Sequence, residues 1–243
     1  MHKLVLRAPE VARRAVAGQF VEVRCTPPES ASFDPLLRRP ISICEILPDG
    51  ISLIYRVVGR GTSALSAVAA GAQLDLLGPL GNGFPDPAAG SGRLVLVGGG
   101  LGIPPMVAAA ARSLAAGRSV VAVVGARTAA YLAGLGELRA TGVDVQVVTD
   151  DGSAGAKGVV TSVMDLREAG EVWACGPEGM LQAVKQICVP AQVPCFLSVE
   201  RHMACGFGLC IGCTVPKADG SGYLKACQDG PVFAAEEVAL GGA

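Results

Sequence analysis

The chain has 243 residues, 51% of them hydrophobic and 4% aromatic, with 20 basic residues against 21 acidic ones. That length buries a substantial core in one large domain or two ordinary ones, and two is the expectation. The balanced charge gives no overall electrostatic reason to bind nucleic acid or an anionic membrane, so the partners to expect are small molecules or another protein. With 33 glycines and few aromatics, the composition favours ordered α/β packing with many tight turns over disorder.

In chain order, the first apolar stretch, Leu4 to Leu6, is too short for the core of an export signal, which makes the cytoplasm the expected location. The sequence starts abruptly at a strand, so a short first strand is expected. Three β-type runs follow, Gln19 to Cys25, Pro40 to Leu47 and Ile51 to Val58, separated by Pro-rich or Asp-Gly turns. They read as a small antiparallel barrel or sheet. Thr62 is placed to cap a short helix over Ser63 to Val68. The Gly/Pro-rich segment Gly81 to Gly92 reads as a linker.

From Arg93 the pattern changes to alternating strands and helices. Strands are expected at Leu94 to Val97, Val120 to Val124, Val143 to Val148 and Val172 to Ala174, with helical stretches after Gly102, Lys157 and Pro177. This is the signature of a parallel, nucleotide-binding sheet. The uncharged stretch between Arg93 and Arg112 has the length of a membrane span, but Gly98, Gly99, Gly100, Gly102, Pro104 and Pro105 interrupt it. A strand, a glycine turn and a helix explain it better, and no membrane association is expected.

Nine cysteines in clustered spacing do not form a secreted disulfide framework; reduced thiols, some of them metal ligands, are the expectation. Cys205, Cys210, Cys213 and Cys227 have the C-x4-C-x2-C…C order of plant-type [2Fe-2S] sites. Gly206, Gly208 and Gly212 let the backbone curl so that amides point at the sulfurs. Zinc is the competing reading, although paired C-x2-C knuckles are its usual pattern. Cys25, Cys44, Cys188 and Cys195 lie in apolar runs and read as buried thiols.

Two segments suggest a flavin. Arg39-Pro40-Ile41-Ser42 puts a guanidinium and a hydroxyl side by side at a strand entrance, where the first can neutralise a pyrophosphate and the second can hydrogen-bond an isoalloxazine edge. Ile54-Tyr55-Arg56 followed by Gly59-Arg60-Gly61-Thr62 adds a second basic strand and a glycine turn opening a helix, a natural phosphate cradle. The pattern resembles the ferredoxin-NADP reductase superfamily, whose FAD-binding motifs these segments look like. The resemblance implies a flavin on an N-terminal β-barrel domain, residues 1–88, facing a nicotinamide held by an α/β domain, residues 89–196.

On the nicotinamide side, Gly98 to Pro105 follows a strand and opens a helix, which brings Gly99, Gly100 and Gly102 to a pyrophosphate, although a full GxGxxG is missing. Cys175-Gly176-Pro177-Glu178-Gly179-Met180 resembles the superfamily's motif beside the nicotinamide ring. There a small thiol at Cys175 would leave room for hydride transfer to the flavin; a buried strand-end cysteine is the alternative. Asp150 and Asp151 end a strand where an acid can accept ribose hydroxyls, which leans towards NAD, and a solvated turn explains them equally well. Glu200 is either within reach of a flavin or redox partner or a solvated strand-end charge.

The segment Ser198 to Gly206, together with Arg38 to Ile43, is similar to the electron-transfer subunits of type B dihydroorotate dehydrogenases, and a [2Fe-2S] module over 197–243 follows. That family implies a heterotetramer, two of each chain, in pyrimidine biosynthesis. Its FMN-containing catalytic partner oxidises dihydroorotate, and electrons pass through the cluster and FAD to NAD+. Related reductase subunits serving sulfide, ferredoxin or hydrogenase chemistry share the motifs, and a non-catalytic redox sensor is a further alternative. His2 and His202 are the only histidines, no Ser/His/Asp set or paired carboxylates are present, and no protein general base is required.

Overall fold

The computed structural model of the chain describes residues 1–28, 34–87 and 92–241. Its first part is an antiparallel sheet of five strands, β1 (His2–Arg7), β2 (Phe20–Val23), β3 (Arg39–Leu47), β4 (Gly50–Tyr55) and β5 (Leu76–Leu80), in the order β1-β4-β3-β2-β5. No pairing joins β1 to β5 among the described residues, so what is seen is an antiparallel sheet rather than a closed barrel. Far from short, β1 pairs with β4 along its whole length, from His2 opposite Tyr55 to Arg7 opposite Gly50. Alternation sends Val21 and Val23 into a core with Ile41, Ile43, Ile51, Leu53 and Leu65, while Phe20 and Glu22 face the other side.

Two helices serve this sheet, α1 (Pro9–Arg14), with proline in its first turn, and α2 (Arg60–Ser66). The second starts before Thr62 rather than after it. Thr62 sits one turn in, and its Oγ1 accepts hydrogen bonds from the amides of Val58 (2.9 Å) and Gly59 (3.2 Å). The threonine therefore ties the incoming chain to the helix, which is why β4 stops at Tyr55 and not at Val58.

The second part is a seven-stranded sheet ordered β14-β11-β10-β6-β7-β8-β9. Its strands are β6 (Arg93–Gly99), β7 (Val120–Ala126), β8 (Asp144–Thr149), β9 (Ala156–Lys157), β10 (Ala169–Cys175), β11 (Cys195–Ser198) and β14 (Val232–Ala234). All pairs are parallel except β11 with β14. The central β6, RLVLVGG, is apolar on both faces, as a parallel strand covered on both sides must be. One cover is α3 (Ile103–Ala115), buried continuously from Ile103 to Ala110, which accounts for the uncharged stretch. α4 (Leu135–Ala140) lies beside it and α5 (Glu178–Cys188) covers the opposite face. Among the described residues no helix is long and apolar enough to cross a membrane.

Two expectations need correction. The helix after Lys157 is only a 3-10 turn, Val160–Ser162, because Gly158 enters at φ +147° and the β-branched Val159, Val160 and Thr161 resist helical winding. The described first part of the expected linker, residues 81–87, is a packed seam. Asn82 donates to the carbonyls of Gln228 (3.2 Å) and Asp229 (2.9 Å), and the buried Phe84 ring stacks on Trp173 at 4.9 Å. Residues 88–91, and with them the expected boundary after residue 88, lie outside the described residues.

The last part is a loop and a hairpin of β12 (Thr214–Pro216) and β13 (Tyr223–Lys225), after which β14 returns to the main sheet.

Candidate electron-transfer site

The hairpin register explains how cysteines distant in sequence meet. Thr214 pairs with Lys225, and the amide of Ala226 donates to the Cys213 carbonyl at 2.9 Å, so Cys213 and Cys227 flank one end of the ladder with their sulfurs 3.2 Å apart. Cys205 and Cys210 lie in the same loop, and the Cys210 thiol is among the groups that lower the Cys205 thiol. Among the described residues no three ligand-type side chains close on one point; Cys213 and Cys227 are the thiols seen in contact. The C-x4-C-x2-C…C order is what favours a two-iron cluster over tetrahedral zinc here.

The loop backbone is bent for sulfur. Gly206 and Gly208 have φ of +77° and +91°, and Ile211 is held at φ +34°, a conformation costly for a β-branched residue. The Gly208 amide donates to Cys227 Sγ at 3.1 Å. Burial pushes Cys205 up, but amides of Phe207, Cys210 and Leu209 and the Cys210 thiol outweigh it and bring Cys205 down to about 6. Burial and the neighbouring Cys213 thiol push Cys227 up to about 12. Lys225 Nζ anchors the loop through the Gly208 carbonyl at 2.8 Å. Amides aimed at sulfurs and paired thiols fit an anionic iron-sulfur core. Around them Phe207, Leu209 and Ile211 are 53%, 78% and 71% exposed.

Beneath this loop lies Glu22, a residue sequence reasoning missed. A Cβ on Gly206 would fall 2.5 Å from Glu22 Cγ, so glycine is required there by contact as well as by φ. Glu22 is fully buried, and among the described residues neither carboxylate oxygen has a hydrogen-bond partner. Burial pushes it up to about 7, with Arg38 and Arg39 pulling down and Cys205 pushing further up. The available signal was an acid in the middle of an otherwise apolar strand, Phe20-Val21-Glu22-Val23.

On the ladder Glu22 stands opposite Pro40 and Phe20 opposite Ser42, so Pro40 and Ser42 share the face on which the cysteine loop rests. The two flavin segments meet, because a Cβ on Gly61 would lie 2.6 Å from Arg39 Nε. Arg39 Nη1 is held by the Leu37 carbonyl at 2.6 Å. Ile41, Ile54 and Tyr55 are buried, and the Tyr55 hydroxyl has no hydrogen-bond partner among the described residues. Arg56 goes elsewhere, its guanidinium lying 5.5 Å from the centre of the Tyr131 ring, with Arg127 at 5.6 Å from the same ring.

These three residues line a cavity of about 510 Å³ that runs past Gly99, Gly100, Leu101 and Gly102 to Pro177, Gly179, Met180 and Glu200. It opens at the carboxyl ends of parallel strands, where open α/β sheets bind ligands. The glycine turn and the Cys175 segment interlock. A Cβ on Gly102 would sit 2.1 Å from the Cys175 carbonyl oxygen, and one on Gly99 would meet Met180 Sδ at 2.5 Å. Gly100, at φ +55° with nothing within 4 Å of a Cβ, leaves its side of the turn open. Gly176 has φ +157° and packs on Gly99. Cys175 itself is buried and does not line the cavity, and burial drives its thiol far up. Glu200 does line it, and loss of hydration raises its carboxyl.

Residues 200–239 match the model of the iron-sulfur cluster binding domain of dihydroorotate dehydrogenase B. Over 246 aligned residues, 98% of this chain and 93% of the relative, it is 43% identical to a protein of Bacillus caldolyticus called dihydroorotate dehydrogenase B (NAD(+)), electron transfer subunit. The chain belongs to that family. A relative of the same name from Desulforamulus reducens is 38% identical over 95% of this chain and 89% of its own. Among solved structures, an NADH-dependent reduced ferredoxin-NADP oxidoreductase is 34% identical with a TM-score of 0.82, covering 98% of this chain and 84% of that one. A ferredoxin reductase of carbazole 1,9a-dioxygenase, 24% identical over 74% of this chain and 58% of its own, shares the fold at a TM-score of 0.60.

Proposed function

We propose that this chain is the electron-transfer subunit of an NAD-dependent dihydroorotate dehydrogenase of pyrimidine biosynthesis. It would accept electrons from a catalytic subunit that carries FMN and deliver them to NAD+. The observation that carries this reading is the contact of Cys213 with Cys227 in a cysteine loop that packs, through Gly206 on Glu22, on the face that also presents Pro40 and Ser42, in a member of the dihydroorotate dehydrogenase B family. When bound, the [2Fe-2S] cluster supplies one-electron transfer and FAD exchanges single electrons for a hydride.

Cys205, Cys210, Cys213 and Cys227 would hold the cluster. Arg39 and the Gly61-Thr62 turn neutralise and cradle the FAD phosphates. Pro40, Ile41 and Ser42, with Ile54 and Tyr55, form the flavin wall on the antiparallel sheet, taken here as the sheet of a barrel. Gly99, Gly100 and Gly102 let a dinucleotide diphosphate approach the N-terminus of α3, and Arg56, assigned from sequence to FAD, joins Arg127 in neutralising it. Pro177 and Gly179 build the floor on which the nicotinamide rests, with Cys175 and Gly176 buried behind them and Glu200 at its edge. No residue of this chain has to act as a general base.

In working terms residues 1–88 hold the flavin, 89–196 the NAD and 197–243 the cluster, with β14 locking the last part to the nucleotide sheet. The exposed Phe207, Leu209 and Ile211 form an apolar rim suited to a partner subunit, in a complex of two copies of each chain in the cytoplasm. The likeness to the NADH-dependent ferredoxin-NADP oxidoreductase supports a second reading, a reductase subunit serving ferredoxin. Adding NADH to the purified FAD- and cluster-loaded chain tests the common core of both. Flavin bleaching followed by the paramagnetic signal of a reduced [2Fe-2S] cluster is expected; an unbleached flavin would support a redox sensor instead.

A further inference from the structure

One ring in the nucleotide cavity draws a cation from each of the two large sheets. Arg56 leaves the antiparallel sheet directly after β4 and Arg127 leaves the seven-stranded sheet directly after β7, and their guanidinium carbons lie 5.5 and 5.6 Å from the centre of the Tyr131 ring. We propose that Tyr131 is a positioning residue for dinucleotide binding, which holds Arg56 and Arg127 together as one receptor for the ligand's diphosphate. The inference rests on reading this cavity as the nicotinamide dinucleotide site.

The backbone fixes the ring before any ligand arrives. Tyr131 ends a 3-10 turn, Ala129–Tyr131, whose first amide donates to Ser153 Oγ at 2.8 Å and whose last donates to the Thr128 carbonyl at 3.0 Å. The residues that follow pack on the antiparallel sheet. Ala133 is buried in one cluster with Ile54, and a Cβ on Gly134 would lie 3.3 Å from Ile54 Cδ1. Ile54 stands near the end of β4, so the turn that carries Tyr131 is docked against the strand that delivers Arg56. Arg127 is held from the other side, its carbonyl accepting from the Asp151 amide at 3.3 Å. The ring is 37% exposed and lines the cavity together with both arginines.

What the ring does follows from charge. Among the described residues neither guanidinium makes an ion pair or a side-chain hydrogen bond. Their distances from one centroid put the two cations within about 11 Å of each other, close enough for repulsion to splay two long side chains into solvent. The negative face of an aromatic ring attracts each guanidinium and offsets that repulsion. Unlike a carboxylate, it does so without neutralising either charge. Both cations therefore stay available to an anion, and the freedom of their side chains is restricted before the ligand arrives rather than on binding. A diphosphate presents two adjacent negative groups to them and can meet both. A ring already engaged by two guanidiniums is also a poor platform for a base, which separates this role from direct stacking on the ligand.

The test is calorimetric titration of the FAD-loaded full chain with NAD+, with the flavin spectrum confirming that each variant is folded. Tyr131→Leu should weaken NAD+ binding by roughly fivefold to thirtyfold, the range of two cation–π contacts. Tyr131→Phe keeps the ring face and should restore binding to within about twofold of the unaltered protein. Because the ring acts through the arginines, Tyr131→Leu should lose clearly less affinity when introduced beside Arg56→Gln or Arg127→Gln than it does alone. An undiminished loss in both backgrounds would mean that the ring touches the dinucleotide itself, and would overturn the positioning role. Tyr131→Leu binding NAD+ as tightly as the unaltered chain, or Tyr131→Phe binding it as weakly as Tyr131→Leu, would overturn it too. Failure of the unaltered, FAD-loaded chain to bind NAD+ would instead remove the dinucleotide site itself, and the proposal with it.

Discussion

The cysteine loop and the nucleotide cavity are assembled on different scales. Cys205 to Cys227 is one short stretch folded over one hairpin, whereas the cavity wall draws on residues from Met1 to Glu200. The loop spends unusual backbone conformations, at Gly206, Gly208 and Ile211, to aim amides at sulfur. The cavity spends close packing, with Gly102 under Cys175 and Gly99 under Met180, to bring separate strands to one edge. A site confined to one segment can fail without disturbing the rest. One distributed over a sheet fails together with the fold that makes it.

The sharpest way to test that contrast is Cys227→Ser. It should abolish the visible and paramagnetic signature of the cluster while FAD stays bound, because the flavin segments share no residue with the hairpin; an intact cluster spectrum would mean that the fourth ligand is another residue. Gly102→Ala should behave in the opposite way. Its Cβ would lie 2.1 Å from the Cys175 carbonyl oxygen, a backbone atom that cannot swing aside. Urea denaturation should show a loss of about 3 kcal/mol or more, with nucleotide binding lost in parallel.

Glu22 lies beneath the cysteine loop, and its effect depends on pH. An acid raised to about 7 in the folded chain, from an ordinary value of 4.5, stabilises the fold relatively most below 4.5. That contribution is lost as pH rises through 7. Glu22→Gln should therefore match the unaltered protein near pH 4.5 and exceed it by about 2–3 kcal/mol at pH 8, read from denaturation midpoints at both values. A constant difference across that range would mean that the carboxyl is not held neutral. The smallest effect expected is that of Arg39→Ala, which should weaken FAD retention by about 1–3 kcal/mol, measured by flavin release on dilution.

How much of this was legible in the sequence follows the same division. The cysteine set could be read because its spacing is local, and the hairpin merely closes it. The strand cores of the nucleotide sheet could be read because parallel strands are apolar throughout. The packed seam at Asn82 and Phe84 could not, since its partners Gln228, Asp229 and Trp173 are remote in sequence. Arg56 was assigned to the flavin because it follows Ile54-Tyr55, and only the fold brings it over Tyr131. Cys175 was expected at the site of hydride transfer, and the structure buries its thiol behind the cavity floor. Glu22 was passed over because a single acid inside a strand carries no pattern, and its burial becomes evident only once Gly206 rests on it.

The central claim is directional electron flow from a partner's FMN, in through the cysteine loop and out at the nucleotide cavity. Its most direct test is to co-purify the chain with an FMN-containing dihydroorotate dehydrogenase catalytic subunit and follow NADH absorbance when dihydroorotate and NAD+ are added. Dihydroorotate-dependent NAD+ reduction is expected, and it should disappear with Cys227→Ser in this chain while the partner's FMN is still reduced. A fully loaded complex that forms no NADH, or one in which Cys227→Ser leaves the rate unchanged, would contradict it.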